Sequence, residues 1–381
     1  MKRLSYSDRL LVVIIIASII VVALSSYYVY SRAYSLAKLY YDAGKEYVSD
    51  EIYYVDVARR YLQRIFKVSI DYWNYSGKTD DDYYNPEHPP LGKYIIALSM
   101  LTCGDKPICW RIPGVIEASL IPVIIYMAYA RLNNMWILAA TSAASGAASD
   151  YILQRAGSVA LLDIHVAFFT ALAILAASRG KILLAGFISG LAASVKMSGA
   201  AAVLALLLII YGSKGMEGRV KVRFYISIIL ASLSVYILVY APLISYFGFE
   251  WFIREHIGAV SWHTTSRPPN GPPTSTPFGW IININPFYYS VVKVRVAAEL
   301  NTITHLFAFF SSIVLFLLYL DGRIRRPPVS SIFYVSILAF YYMVIIAGNH
   351  TLYSFYGVHL IPAMGGVIAE ATLYASRSWD A

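Results

Sequence analysis

Apolar runs about as long as a bilayer is thick recur from one end of this 381-residue chain to the other, and they fix what it can fold into. Crossing a hydrocarbon core takes roughly 20 apolar residues in helical form, because an open strand or loop would leave its peptide groups unpaired there. Leu10–Ser31, Trp110–Arg131, Met135–Ser149, Ser158–Ser178, Phe224–Tyr246, Leu300–Leu320, Val329–Ala347 and Phe355–Ala375 meet or approach that length. Lys181–Tyr211 is too long for one crossing and is broken by Lys196, so it reads as two short helices. Leu91–Cys103 is short for a span and suits an interfacial position. The expected architecture is all-α: one polytopic integral membrane domain over residues 1–381, with nine to eleven transmembrane helices. Charged residues make up 14 % of the chain, against ~25 % in soluble domains, which excludes an ordinary soluble enzyme.

Basic residues give the sidedness, because Lys and Arg concentrate in short cytoplasmic loops. Lys2, Arg3 and Arg9 precede the first run; Lys214, Arg219, Lys221 and Arg223 precede Phe224–Tyr246; Arg323, Arg325 and Arg326 follow Leu320. The N-terminus is therefore expected in the cytoplasm, with Arg32–Pro90, Phe247–Glu299 and Gly348–Ser354 on the outer face of the cell membrane. Tyr27, Tyr28 and Tyr30 crowd the end of the first run and no small-residue cleavage site follows, so it reads as an uncleaved anchor. Asn74-Tyr75-Ser76 and Asn349-His350-Thr351 fit the glycosylation acceptor pattern in loops assigned outside. The net charge of +9 then belongs to topology; no loop carries a basic stripe with interleaved aromatics, so no nucleic-acid partner is expected. Cys103 and Cys109, the only cysteines, bracket a short loop, and both a disulfide in an oxidising space and two free thiols fit them.

The polar chemistry sits in the loops. In outer loop 32–90, Ala33–Tyr47 and Ile52–Phe66 have helical periodicity with Tyr, Leu and Ile on one face, the pattern of helices lying flat in the interface. Between and after them come Ser49-Asp50-Glu51 and His88-Pro89-Pro90-Leu91-Gly92-Lys93. Outer loop 247–299 carries His256, His263, Arg267 and a proline-rich run ending in Thr274-Ser275-Thr276-Pro277-Phe278-Gly279-Trp280. Loops of this length in a compact protein are functional when ordered. Arg111, Glu117, Arg155, Asp163, His165 and Lys196 fall in or beside apolar runs, where an unpaired charge is costly. Singly, each fits a structural ion pair, with Asp163 and His165 as partners for Arg155. Together, several cations near one carboxylate pair suit an anionic lipid head group. Asp50-Glu51 also fits a plain helix N-cap. Asp80, Asp81, Asp82, Glu87 and His88 fit either a solvated acidic turn or a divalent metal site; no cofactor is indicated.

In this order the motifs resemble the dolichyl-phosphate-mannose–protein mannosyltransferases, glycosyltransferase family 39, which have the GT-C membrane fold. The likeness runs from Asp50-Glu51 and His88-Pro89-Pro90 through Trp110-Arg111-Ile112-Pro113, Arg155 with Leu162-Asp163, and Gly190-Leu191-Ala192 to Val195-Lys196-Met197-Ser198-Gly199. It continues in Ser275-Thr276-Pro277-Phe278-Gly279-Trp280 and in Tyr353-Ser354-Phe355-Tyr356 with His359 and Pro362. The resemblance implies transfer of a sugar, mannose in the family, from a polyprenyl or dolichyl phosphate to a Ser or Thr hydroxyl of a protein, with inversion. It makes Asp50 the general base and Glu51 its positioning partner, and puts His88, Lys93, Arg111 and Arg155 on the donor phosphate. Ser275, Trp280, Tyr356 and His359 become substrate-loop residues, and membrane lipid, a protein or glycan acceptor and a second subunit become candidate partners. There is no room for the soluble C-terminal domain of eukaryotic members, and Asp80-Asp81-Asp82 is an addition to the family pattern. A GT-C transferase acting on a lipid or polysaccharide is the nearest alternative. A transporter or flippase would show internal repeats, and none is visible.

Overall fold

A computed structural model describes residues 6–44, 47–72, 79–80, 82–268, 270–290 and 295–379. The first helix, α1 (Tyr6–Asp42), runs 37 residues without a break, about 55 Å at 1.5 Å per residue, well beyond the ~30 Å hydrocarbon core. Ala33–Tyr47, expected as a separate interfacial helix, is therefore mostly the continuation of the first span. The cause is plain in the sequence: no Gly or Pro occurs between Tyr6 and Asp42, and the helix stops only where Gly44 takes a left-handed φ of 76°.

The rest of the chain adds α2 (Glu51–Arg60), α3 (Leu91–Cys103), α4 (Pro107–Tyr129), α5 (Asn134–Ala148), α6 (Tyr151–Gly157), α7 (Leu162–Ser178), α8 (Ile182–Val195), α9 (Ala201–Gly212) and α10 (Gly218–Phe247). After these come α11 (Phe249–Thr264), α12 (Pro277–Ile281), α13 (Thr302–Asp321), α14 (Val329–Ile346) and α15 (Ile361–Ala375). Strand structure among the described residues is one antiparallel pair, β1 (Tyr288–Ser290) with β2 (Val296–Ala297). Helix boundaries follow local chemistry. Pro107 opens α4 at a position with no amide partner to lose. Asn133, Asp150, Thr276 and Asn301 cap α5, α6, α12 and α13 through side-chain oxygens, and left-handed Gly322 ends α13.

Six described helical stretches are long and apolar enough to cross a membrane: Asp8–Asp42, Pro107–Tyr129, Gly218–Phe247, Thr302–Asp321, Val329–Ile346 and Ser354–Ala375. The count of nine to eleven drawn from sequence includes α3, α5, α7, α8 and α9, which run only 12 to 17 residues, about 18–26 Å. Short helices of this kind are tolerated because they pack inside the bundle. α4 lies against α1, α5 and α7, and α8 bridges α7 and α10. The α8–α10 contact depends on Gly190, where a Cβ would sit 2.6 Å from the Ser232 carbonyl oxygen.

The stretch Ile52–Phe66 is helical, but it does not lie on the surface with its polar side in water. Asp56, Arg59 and Arg60 are buried. Arg59 donates to both carboxylate oxygens of Asp105 at 2.7 and 3.0 Å and to Asp56 at 2.6 Å, and it stacks over Trp110. Asp105 sits in the loop closed by a Cys103–Cys109 disulfide. That loop anchors α2 to α3 and α4, so the polar face of α2 packs inward because its charges find partners there.

Candidate active site

Loops 32–90 and 247–299 and the turn before the 3₁₀ helix Ser354–Leu360 meet at one end of the bundle around a cavity of about 550 Å³. Lining residues come from 50–54, 83–88, 196–198, 260–267 and 340–356. Asp50 is delivered by the turn before α2, where Ser49 holds a left-handed φ of 54°, unusual for a residue with a Cβ. Asp50 occupies the N-cap position of α2, yet its side chain makes no capping hydrogen bond. Its carboxylate faces the cavity instead. Burial pushes its pKa up to about 6; the Lys196 charge opposes that rise, and Asp163 and Glu87 add to it.

Glu51 and Arg111, adjacent to the cavity in the expected site, pair with each other. They form a two-point ion pair at 2.8 and 2.7 Å, with both side chains fully buried. Glu51 also accepts from the amides of Val48 and Ala160, and Arg111 donates to the Ala37 carbonyl. The guanidinium is thereby held behind the cavity and is not among its lining residues. The pair ties α1, the Asp50 turn, α4 and the turn before α7 together. Lys93 is likewise enclosed: its ammonium donates to Asn85 O, Asn85 Oδ1 and His88 O, three acceptors for three protons. It shapes the His-Pro-Pro turn, with Asn85 at φ 48°, and has no donor left for phosphate. Arg155 binds the Ala297 carbonyl and the Glu299 carboxylate and stacks on Tyr151. It too lies outside the cavity lining, and Asp163 and His165 are not its partners.

Lys196 is the cation the membrane interior contributes. It is extended (φ −154°, ψ 142°) between α8 and the short turn Met197–Ala200, which is how a residue in an apolar run comes to face the cavity. Its ammonium donates to Asp163 Oδ1 at 2.8 Å and lies 3.9 Å from the centre of the Tyr356 ring. His359 Nε2 stands 3.1 Å from the same Asp163 oxygen, while its Nδ1 faces the Tyr341 hydroxyl at 2.7 Å. Thus Asp163, His359 and Tyr341 hold Lys196 in place from behind. The break needs Gly199: a Cβ there would lie 2.2 Å from the Ala192 carbonyl. Gly199→Ala is expected to cost about 1–3 kcal/mol of stability through that overlap. Thermal unfolding checks it, and an unchanged melting temperature would show that the turn has room to yield.

Arg267 also lines the cavity. Its guanidinium lies 3.5 Å above the Trp262 ring and donates to the Trp262 and Thr265 carbonyls. His88 and His263 stand side by side with ring centres 5.3 Å apart, and burial lowers the pKa of both. His263 Nε2 is fixed by the Glu87 carbonyl at 2.8 Å, whereas His88 Nδ1 is buried with no partner. Glu87 accepts from the Tyr83 hydroxyl. Asp82 is exposed beside Arg64, so the acidic stretch does not converge; no group of three metal-ligating side chains occurs among the described residues, and Asp81 lies outside them.

Of the later motifs, Tyr356 lines the cavity, and Trp280 is fully buried behind Tyr341 and Tyr356. Ser275 Oγ donates to the Ile284 carbonyl and its own carbonyl accepts from Trp280 Nε1, so Ser275 builds the loop and is not presented to a substrate. Asn349 is buried, donating to the His263 carbonyl and accepting from the Thr351 amide, which closes that acceptor sequence to a glycan. Asn74 lies outside the described residues.

No protein-family model matches the sequence, and no curated protein matches it. Solved structures do match in fold. ArnT from Cupriavidus metallidurans bound to undecaprenyl phosphate aligns over 97 % of this chain and 61 % of its own, with a TM-score of 0.55 at 17 % identity. The Archaeoglobus fulgidus oligosaccharyltransferase in the apo form aligns over 94 % and 51 %, with a TM-score of 0.51 at 13 % identity. This chain therefore spans about three fifths of ArnT and half of the oligosaccharyltransferase. At these identities the likeness is one of architecture: the chain is an all-α, polytopic integral membrane protein of the GT-C type.

Proposed function

We propose that this protein is a membrane glycosyltransferase that moves a sugar from a polyprenyl-phosphate carrier to a hydroxyl acceptor, with inversion at the anomeric carbon. The observation that carries the reading is the Asp50 carboxylate and two cations, Lys196 and Arg267, lining one cavity, with Glu87 as a second carboxylate in the same wall. Asp50 takes the proton of the acceptor hydroxyl as its oxygen bonds to the anomeric carbon. The bond from that carbon to the phosphate oxygen breaks, and Lys196 and Arg267 hold the charge that develops there. A good leaving group needs no strong acid, so one base and a cationic cradle suffice. The polyprenyl tail leaves over Val260 and Met343, which line the cavity and are also exposed on the outer surface of the bundle. Mannose and a Ser or Thr acceptor are what the resemblance of the motifs supports, and the Lys and Arg distribution supports a site on the outer face of the cell membrane.

Purified protein in detergent, supplied with radiolabelled polyprenyl-phosphate mannose or glucose and with Ser/Thr peptides or lipid acceptors, tests the reading. Transfer is expected with one such pair, and Lys196→Ala should reduce it by roughly 10²–10³, the scale for one preorganised charge donor. Native rates in Lys196→Ala would detach the cavity from the chemistry. The raised pKa of Asp50 gives a second expectation. Its ionised form is the base, so kcat/KM should rise about tenfold per pH unit below about 6 and level off above it. A flat profile between pH 5 and 7 would count against Asp50.

A further inference from the structure

At the opposite end of the bundle, residues just past α4 and α7, the starts of α5 and α14 and the segment after α15 enclose a second cavity, of about 220 Å³. Trp136 and Trp379 are buried there and stacked, with ring centres 5.9 Å apart. The Arg326 guanidinium lies 5.0 Å from the Trp136 ring centre and 5.9 Å from that of Trp379, and Arg131 lies 5.3 Å from Trp136. Arg179, at the end of α7, shares the Ala130 carbonyl with Arg131. The polar partners of all three are carbonyls: those of Ala128, Ala130 and Ser178 for Arg131, Met127 and Ala130 for Arg179, and Trp379 for Arg326.

Glu370 lies at the cavity floor, but its charge is turned elsewhere. Its two oxygens accept from the Tyr129 hydroxyl, the Ser330 and Ser331 amides and the Ser331 hydroxyl at the start of α14. The cations therefore face one another. Burial lowers the pKa of Arg131, and the Arg179 and Arg326 charges lower it further. A cytoplasmic excess of Arg is ordinary in membrane proteins. Solvated charges would satisfy that rule, without two guanidiniums stacked on a buried indole pair over a cavity. Each guanidinium has five donors in a planar fork, and the carbonyls take only some of them. The volume is below the ~300 Å³ at which pockets for drug-sized ligands begin and is of the scale of a small head group.

We propose that this second cavity binds a phosphate-bearing anion, held by Arg131 and Arg326 beside the Trp136–Trp379 stack, with exposed Arg179 outside the lining adding its charge. Tryptophan at a helix end marks the membrane–water boundary, so the phosphate is either that of an anionic lipid or one free in solution. The test uses the full chain in detergent, stripped of lipid and titrated with short-chain phosphatidylglycerol, phosphatidylcholine and inorganic phosphate, with native mass spectrometry and thermal unfolding as readouts. Phosphatidylglycerol should bind and stabilise; binding of inorganic phosphate as well makes the phosphate alone sufficient, and its absence makes the site a lipid site. Arg326→Gln should weaken binding at least tenfold, and Arg254→Gln, on the exposed side of α11, should not. Arg326 is chosen because it gives a hydrogen bond to one carbonyl only; if that variant unfolds, Arg326→Lys, which keeps charge and loses the fork, should weaken binding severalfold. Phosphatidylcholine bound as tightly as phosphatidylglycerol, no binding of either phosphate probe, or unchanged affinity in the Arg326 variants would overturn the proposal.

Discussion

Asp50→Asn is expected to lower sugar transfer by roughly 10²–10⁴ without lowering the melting temperature. Asparagine keeps the size of the side chain and most of its hydrogen bonding but cannot take up the acceptor's proton at the working pH. Stability should not fall, because Asp50 stands at the N-cap position of α2 without capping it, so no capping hydrogen bond is lost, and a neutral side chain removes the burial cost that raises its pKa. Initial rates at saturating lipid donor, with thermal unfolding alongside, make the comparison. An active Asp50→Asn enzyme would take the base out of the mechanism and leave the transferase reading on fold and motif order.

Arg111→Ala should have its large effect on stability. Removing one partner of a buried ion pair leaves the other charge uncompensated, at a cost of about 3–5 kcal/mol. Here Glu51 would keep its two amide donors but lose both guanidinium contacts while fully enclosed. The double variant Arg111→Met with Glu51→Gln removes both charges and leaves a carbonyl oxygen for the amides, so at least half of the loss should return. A donor-binding role predicts the opposite order, with a normal melting temperature in Arg111→Ala and weak donor use. Thermal unfolding of the single and double variants separates the two.

The contrast over Arg111 marks where sequence stops being informative. Most helix positions were readable because apolar length and a breaker such as Lys196 act locally, whereas the stop at Gly44 was passed over by the Ala33–Tyr47 reading. The convergence of loops 32–90 and 247–299 at one end of the bundle followed from counting spans between basic turns. Ion-pair partners did not follow, because Glu51 and Arg111 are 60 residues apart and nothing local says which carboxylate will meet which guanidinium. The same holds for Arg155, which found Glu299 and not Asp163 or His165. Lys196 did carry a signal: it is the one charge between Lys181 and Tyr211, and an isolated cation in an apolar run is costly unless it has work there. Arg267 had none, since one arginine in a proline-rich loop resembles any solvated charge.

Six tyrosines, Tyr53, Tyr54, Tyr83, Tyr341, Tyr353 and Tyr356, wall the Asp50 cavity. A sugar phosphate activated enough to react with an alcohol is activated enough to react with water, and water outnumbers any acceptor. The partition between transfer and wasteful hydrolysis then depends on which oxygen stands beside the base. Polar groups that water could use, among them Asn85, Glu87, Ser198 and Thr264, line the same cavity, so the rings act by the contact area they offer. On the proposed chemistry, the ring-lined wall favours the acceptor over water because only the larger nucleophile has apolar surface to lay against it.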